Sequence, residues 1–342
     1  MTSKSTQMRR EIAEIPDAVE RLLVEGGPAI ADAAEKARAY GPRFLMSVAR
    51  GSSDHACTYL KYASELILRK PMASVGPSVR SIYGVELDGE GALAIAVSQS
   101  GQSPDIVSMT EGLAKTGAMT VAITNDGGSR LARVADTTLP IHAGPELSVA
   151  ATKTFVTSLV AGLWLIAEIK EDEALSSAIR ALPESLDKAT RRDWSEAAAI
   201  MDGRSLFTIG RGPSSAISNE AALKFKETCL IHAESYSSAE VLHGPVSIVG
   251  QGFPVIAFAA GDVAEASTVE TADNLAAKGA RVFVTSNKAK TATCLPHVRT
   301  RHWLTDPIAG IVSFYGMVEA VAVGRGIDPD TPRHLNKVTE TV

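Results

Sequence analysis

The sequence is short of the features that mark many specialised chains. It has three cysteines, Cys57, Cys229 and Cys294, widely separated and without a CxxC pair. That excludes a disulfide framework and a thiolate metal knuckle. The opening stretch, MTSKSTQMRREIAEIPDAVE, lacks the apolar core of a secretory signal. The most apolar stretch, FVTSLVAGLWLIAEI, is shorter than about 18 residues and ends in charge, so it reads as a buried helix. Basic residues are not in excess: 34 lysines and arginines face 39 aspartates and glutamates, a net charge of −5. No field is available to hold a nucleic acid backbone. Neither a GxxxxGK[ST] loop nor a GxGxxG fingerprint occurs, and no metal-ligand spacing is visible. These absences predict a soluble, reduced, cytoplasmic protein with no metal, redox cofactor, nucleic-acid partner or membrane partner.

What is present is a repeat. The 342 residues suffice for two ordinary domains, and the composition, 45% hydrophobic and 21% charged, is globular. An amphipathic helix is expected from about Met8 to Leu23. Buried strands then alternate with helices: RFLMSVA, ASV, LAIAV, MTVAIT and TTLPIH, with helices after the first, third and last, the last being ATKTFVTSLVAGLWLIAEI at 151–169. Such alternation predicts parallel βαβ units. From about Lys170 to Asp202 the pattern turns to charged helical segments. The first pattern then returns. SLFTIGRGPSSAISNEAALKFKE (205–227) resembles RFLMSVARGSSDHACTYLKYASE (43–65), PVIAFAA matches LAIAV, RVFVTS matches MTVAIT, and AGIVSFYGMVEAVAVGRG matches the helix at 151–169. The expected architecture is α/β, two tandem doubly wound parallel-sheet domains of flavodoxin-like type. Its divisions are a helical segment 1–40, a first domain 41–170, a connector 171–202, a second domain 203–328 and a tail 329–342.

The polar turns carry the chemistry. SQSGQSPD, directly after LAIAV, offers Ser98, Gln99, Ser100 and Ser103 at the start of a helix, with Gly101 to let backbone approach an anion. Taken alone, an over-decorated helix cap explains it equally well. A second such turn, ARGSSDH, adds Ser52 and Ser53. Two in one domain favour a phosphorylated ligand at the strand ends. The second copy has only GRGPSS and GDVAEA there, so the copies divide the work. Farther on, LKFKETCLIHAESYSSAEVLHGP places Lys224 and Glu227 on one helix face. A solvated ion pair is their default. His232 defaults to a packed or capping role and His243, between Leu242 and Gly244, to an exposed turn. A carboxylate and a histidine in one segment can also serve as base and acid. In GPELSVAATKTF, capping by Ser148 or Thr152 suffices, and Lys337 falls in a polar tail read as frayed.

Together, RGSS, SQSGQSPD, PELSVAATKTF, the segment from ALKFKET to EVLHGP, and LNKVTETV resemble the sugar isomerase (SIS) family. The likeness is closest to the isomerase half of glucosamine-6-phosphate synthase and to stand-alone SIS deaminases, over about Arg50 to Val342. The resemblance implies two SIS domains and a hexose 6-phosphate ligand. It implies that Ser52, Ser53, Ser98, Gln99, Ser100 and Ser103 hold phosphate and sugar, with Val149 and Ala150 also at the substrate. It implies that Glu227 moves a proton between C1 and C2, with Lys224 beside it. It implies that His243 opens the ring from a neighbouring subunit of a homodimer, and that Lys337 closes over the sugar.

One position departs from the synthase pattern. The synthase's glutaminase has a cysteine directly after the initiator methionine, and Thr2 stands there. The expectation is therefore breakdown: glucosamine 6-phosphate and water giving fructose 6-phosphate and ammonia. Alternatives are a fructosamine-6-phosphate deglycase, a galactosamine-6-phosphate deaminase, a simple phosphosugar isomerase, or a phosphosugar-sensing module of the kind found in transcription regulators. A sensor has no use for Glu227, His243 and Lys337 together.

Overall fold

The computed structural model describes residues 5–201 and 203–337. Contacts divide the chain into two compact units. One comprises Asp17–Glu146, Lys153–Arg180 and, of the described tail, Asn336 and Lys337. The other comprises the N-terminal stretch to Pro16, Leu147–Thr152 and Ala181–Leu335. They are called here the first and second unit.

The first unit is built on β1 (Phe44–Val48), β2 (Met72–Ser74), β3 (Ala92–Val97), β4 (Met119–Thr124) and β5 (Thr137–Pro140). All neighbours pair in parallel, in the order β2-β1-β3-β4-β5. Every residue of β3 and β4 is buried, as expected of central strands covered on both faces. Helices α1 (Ser52–Ala63), α2 (Pro104–Lys115) and α3 (Lys153–Lys170) follow β1, β3 and β5. Val48, Ala94, Ala96, Ile106, Met109 and Leu131 form part of the core on one sheet face.

The second unit repeats the plan. Its strands are β6 (Ser205–Gly210), β7 (His232–Ser237), β8 (Pro254–Phe258), β9 (Arg281–Val284) and β10 (Thr293–Cys294). The order β10-β9-β8-β6-β7 is the first unit's order read from the other edge, again all parallel. Helices α4 (Pro213–Cys229), α5 (Glu265–Ala277) and α6 (Asp306–Gly324) correspond to α1, α2 and α3. The duplication reaches single dihedral angles. Gly51 before α1 has φ 56°, ψ −133°, and Gly212 before α4 has φ 56°, ψ −134°. Both lie at positive φ, where a side chain is strained, which is why Arg-Gly recurs at this turn.

Several elements differ from expectation. The N-terminal segment is three helices, Gln7–Ala13, Ile15–Glu25 and Gly27–Tyr40, rather than one ending near Leu23. Strands β7 and β10 escape a periodicity reading because HAESYS and TC contain no apolar run. The most apolar long helix is α6, not α3. Among the described residues, α6 alone is long and apolar enough by length and composition to cross a membrane, and most of it is buried. Phe314 at its middle packs edge-on against Phe225 and Phe258.

Candidate active site

In the first unit, the turns after β1 and β3 lie side by side at the carboxyl ends of paired strands. One ion pair, buried on its acidic side, ties them. Arg50, after β1, donates from Nε and Nη2 to Asp105 Oδ2, both at 2.9 Å, and Asp105 in the first turn of α2 is fully buried. A guanidinium with two bonds on one carboxylate fixes the spacing of the turns as well as their charge. Within the Ser98–Ser103 turn, Gly101 N donates to Ser98 Oγ at 3.2 Å, and Gln102 N donates to Ser100 Oγ at 3.3 Å. Hydroxyls that accept from their own backbone keep their O–H hydrogens for another acceptor. Gly101 has φ 61°, and a β-carbon there would overlap Ser129 Oγ. Neither Gly51 nor Ser103 caps its helix with a side chain; in α2 Pro104 has no N–H, and Ile106 N donates to Asp105 Oδ1 at 2.9 Å.

The same unit holds the tail. Lys337 Nζ donates to Glu146 Oε2 at 2.8 Å, and the Glu146 side chain is fully buried. Glu146 also accepts from Thr154 N at 3.1 Å and Thr154 Oγ1 at 2.6 Å. Lys337 is therefore docked, not frayed. The start of α3 is served by Glu146 rather than by Ser148, whose backbone N–H instead donates to Glu11 in the second unit. Val149 N donates to Asp330 O at 3.2 Å, also within the second unit, and Ala150 is buried. Lys153, the first residue of α3, is buried as well.

In the second unit, Lys224 is no surface residue. Its side chain is fully buried between two carboxylates of its own helix, Glu220 at 3.3 Å and Glu227 in closer contact. Glu220 is fully buried and is hydrogen-bonded by Tyr315 Oη at 3.5 Å, while Glu227 is 20% exposed. Burial by itself would depress the Lys224 ammonium, but the two carboxylates outweigh it and hold its pKa above an ordinary lysine's. The result is one carboxylate, Glu227, with its inner side on a fixed cation and the rest reaching solvent.

His243 sits elsewhere. It is exposed, just after the short turn Glu240–Leu242, and Gly244 beyond it has φ 125°. Glu227 precedes β7 and His243 follows it, so they stand at opposite ends of a six-residue strand, roughly 20 Å long. No hydrogen bond joins them among the described residues. His232, at the start of β7, is exposed, with Nδ1 3.5 Å from Ser205 Oγ.

Arg50, Asp105, Glu146 and Glu220 were not singled out by sequence. Glu220 was findable, since it stands four residues before Lys224. Asp105 was quoted within its turn, but its partner lies 55 residues away. The cysteines carry no chemistry at either site. Burial raises the Cys57 and Cys229 thiols, the latter to about 11, and Cys294 is exposed on β10.

A family model for the SIS domain matches the chain twice, over residues 43–168 and 199–323. The chain belongs to the SIS family. Among curated proteins, it is 32% identical over 346 residues to a glutamine–fructose-6-phosphate aminotransferase (isomerizing) of Thermococcus kodakarensis. That match covers 96% of this chain and 57% of the relative, so the chain spans little more than half the length of the curated relatives it matches. Among solved structures, a Silicibacter pomeroyi protein provisionally described as a phosphosugar isomerase is 61% identical, with a TM-score of 0.93 over 95% of this chain and 100% of the other. A glucosamine-6-phosphate deaminase of Thermotoga maritima shares the fold at 21% identity, with a TM-score of 0.78 over 98% of this chain and 100% of the other.

Proposed function

We propose that this SIS chain isomerises and deaminates an amino-sugar phosphate, glucosamine 6-phosphate, to fructose 6-phosphate and ammonia. The observation that carries the reading is Glu227, a partly exposed carboxylate held in place by the buried Lys224. Removing a proton beside a carbonyl needs such a base, held in one orientation and still able to reach substrate. In this reading the Ser98–Ser103 turn, with Ser52 and Ser53, takes the phosphate, and Val149 and Ala150 border the sugar. The open-chain aldehyde loses its C2 proton to Glu227, which returns it to C1. Charge developing on O1 is met by Lys337 once that lysine leaves Glu146. C2 is then an imine; water adds there and ammonia departs. No metal or redox cofactor takes part.

Ring opening falls to His243 of a second copy in a homodimer. Support comes from β7, which keeps Glu227 and His243 of one chain at opposite ends. A second reading, aldose–ketose isomerisation of a phosphosugar without deamination, is supported by the described role of the 61% identical relative. Ammonia release from glucosamine 6-phosphate by the purified protein separates the two. Glu227→Gln preserves shape and is expected to cut turnover by about a hundredfold to ten-thousandfold with binding nearly intact. Ketose formation without ammonia would select the second reading. Undiminished turnover in Glu227→Gln would remove this residue from both.

A further inference from the structure

The second unit holds a cavity of about 580 Å³ that no step of the proposed reaction uses. It is an open cleft beyond the carboxyl ends of β8 and β9, where Gly261 follows one strand and Asn287 and Lys288 follow the other, and residues between His297 and Asp306 line its other side. That is the end of a parallel sheet at which ligands bind. As Asp105 is held by Arg50 at the corresponding helix start of the first unit, so here Glu265, first residue of α5, accepts from Ser286 Oγ at 2.8 Å and Arg299 Nη2 at 2.7 Å, and pairs with Lys288.

The other acid on the wall is spent as well. Asp306 accepts from Gly261 N at 2.8 Å and from Thr300 N and Oγ1 at 2.6 and 2.8 Å. Lys288 and Arg299 pair with Glu265, and Arg299 Nη1 also lies 3.6 Å from Asp306 Oδ2, so of the three cations on the wall Arg301 carries the one surplus positive charge. His297 adds no charge at neutral pH, because burial and then Arg299 lower its pKa; its Nδ1 lies 2.8 Å from Leu295 O. Arg301 is exposed at the rim. Beside it is Trp303, partly buried, with its ring 5.2 Å from that of His302. A guanidinium fork suits a phosphate, and an indole face suits the apolar side of a sugar ring while Asn287 and His302 meet hydroxyls. The volume exceeds what a bare phosphate fills.

We propose that this cavity is a second ligand site, which takes a phosphorylated sugar on Arg301, Lys288 and Trp303. The duplicated copy would thus bind without reacting. The inference does not rest on the reaction proposed above, since none of these residues has a part in it.

Tryptophan fluorescence of the whole protein tests the site, with fructose 6-phosphate and glucosamine 6-phosphate as probes. A saturable change is expected in the wild type and not with unphosphorylated glucosamine at equal concentration. Trp303→Phe should abolish the change, and Arg301→Glu should raise its midpoint about tenfold or more. Ser100→Ala should keep it, because Ser100 belongs to the first unit. The proposal fails if the wild type gives no saturable change, if both cavity variants respond like the wild type, or if Ser100→Ala abolishes the response. Inorganic phosphate saturating at the same midpoint would overturn the sugar part and leave a plain anion site.

Discussion

Replacing Lys224 by methionine keeps length and apolar bulk while removing the one cation between Glu220 and Glu227. Glu220 is fully buried, so its carboxylate would lose its counter-charge with no water to replace it. Breaking a buried pair by removing one partner costs about 3–5 kcal/mol. The wild-type pair is insensitive to neutral pH: a lysine raised above its ordinary pKa stabilises the fold fully below its unfolded value and loses that only as alkaline pH passes the folded one. The variant should behave in the opposite sense. One of its crowded carboxylates takes up a proton in the folded state, so the folded protein binds more protons than the unfolded one. Its stability then falls as pH rises, by up to about 1.4 kcal/mol per unit. Urea unfolding at about pH 5.5 and about pH 8 measures this, with the larger deficit at the higher pH. Adding Glu220→Gln should restore more than half of the loss, because a neutral amide needs no cation. A deficit below about 1 kcal/mol that does not change with pH would refute the reasoning, since it would mean that Lys224 is not confined between two charges.

Further outcomes follow from the same geometry. Ser100→Ala should weaken binding of glucosamine 6-phosphate by about 1–3 kcal/mol in calorimetry while leaving the weak binding of glucosamine unchanged; equal affinity of the wild type for the two sugars would dismiss the phosphate turn. Gly101→Ala should lower both stability and phosphosugar affinity, as a β-carbon must displace Ser129 and hold positive φ; an unchanged melting temperature and affinity would contradict that packing. Glu227→Gln and His243→Ala proteins, each inactive, should regain part of the activity when unfolded together and reassembled, because some mixed dimers hold one intact site. Silence in a mixture shown to contain heterodimers would place His243 outside the reaction.

The fold was legible where burial imposes a simple period. LAIAV and MTVAIT became β3 and β4 because strands covered on both faces must be apolar throughout. HAESYS hid β7, an edge strand with one paired side and a polar face. The Ser98–Ser103 turn stood out because too many donors lay in one place for a helix cap alone. Lys224 was misread as a solvated partner of Glu227, since spacing shows which residues share a face but not which way the face turns. What faced it was α6, whose Tyr315 reaches Glu220 from 95 positions away. Pairings of that kind, like Arg50 with Asp105 and Lys337 with Glu146, are set by the sheet order and leave no local mark.

The path of the chain has a consequence for anyone who would separate the repeats. The helix Gln7–Ala13 belongs with the second unit, although almost the whole first unit lies between them in sequence. Its first turn is fastened there: Thr6 and Arg9 bond to Glu319, and the amides of Gln7 and Met8 each donate to Asp330 at 2.7 Å. Excising residues 181–335 would therefore strip a fitted helix from its seat on α6 and leave Glu319 and Asp330 without their donors. The ancestral duplication produced two similar halves, yet neither is now a transferable module. A gene fusion or a protease that respects the visible repeat boundary would release an incomplete piece, and circular permutation, which keeps every segment, is the milder rearrangement.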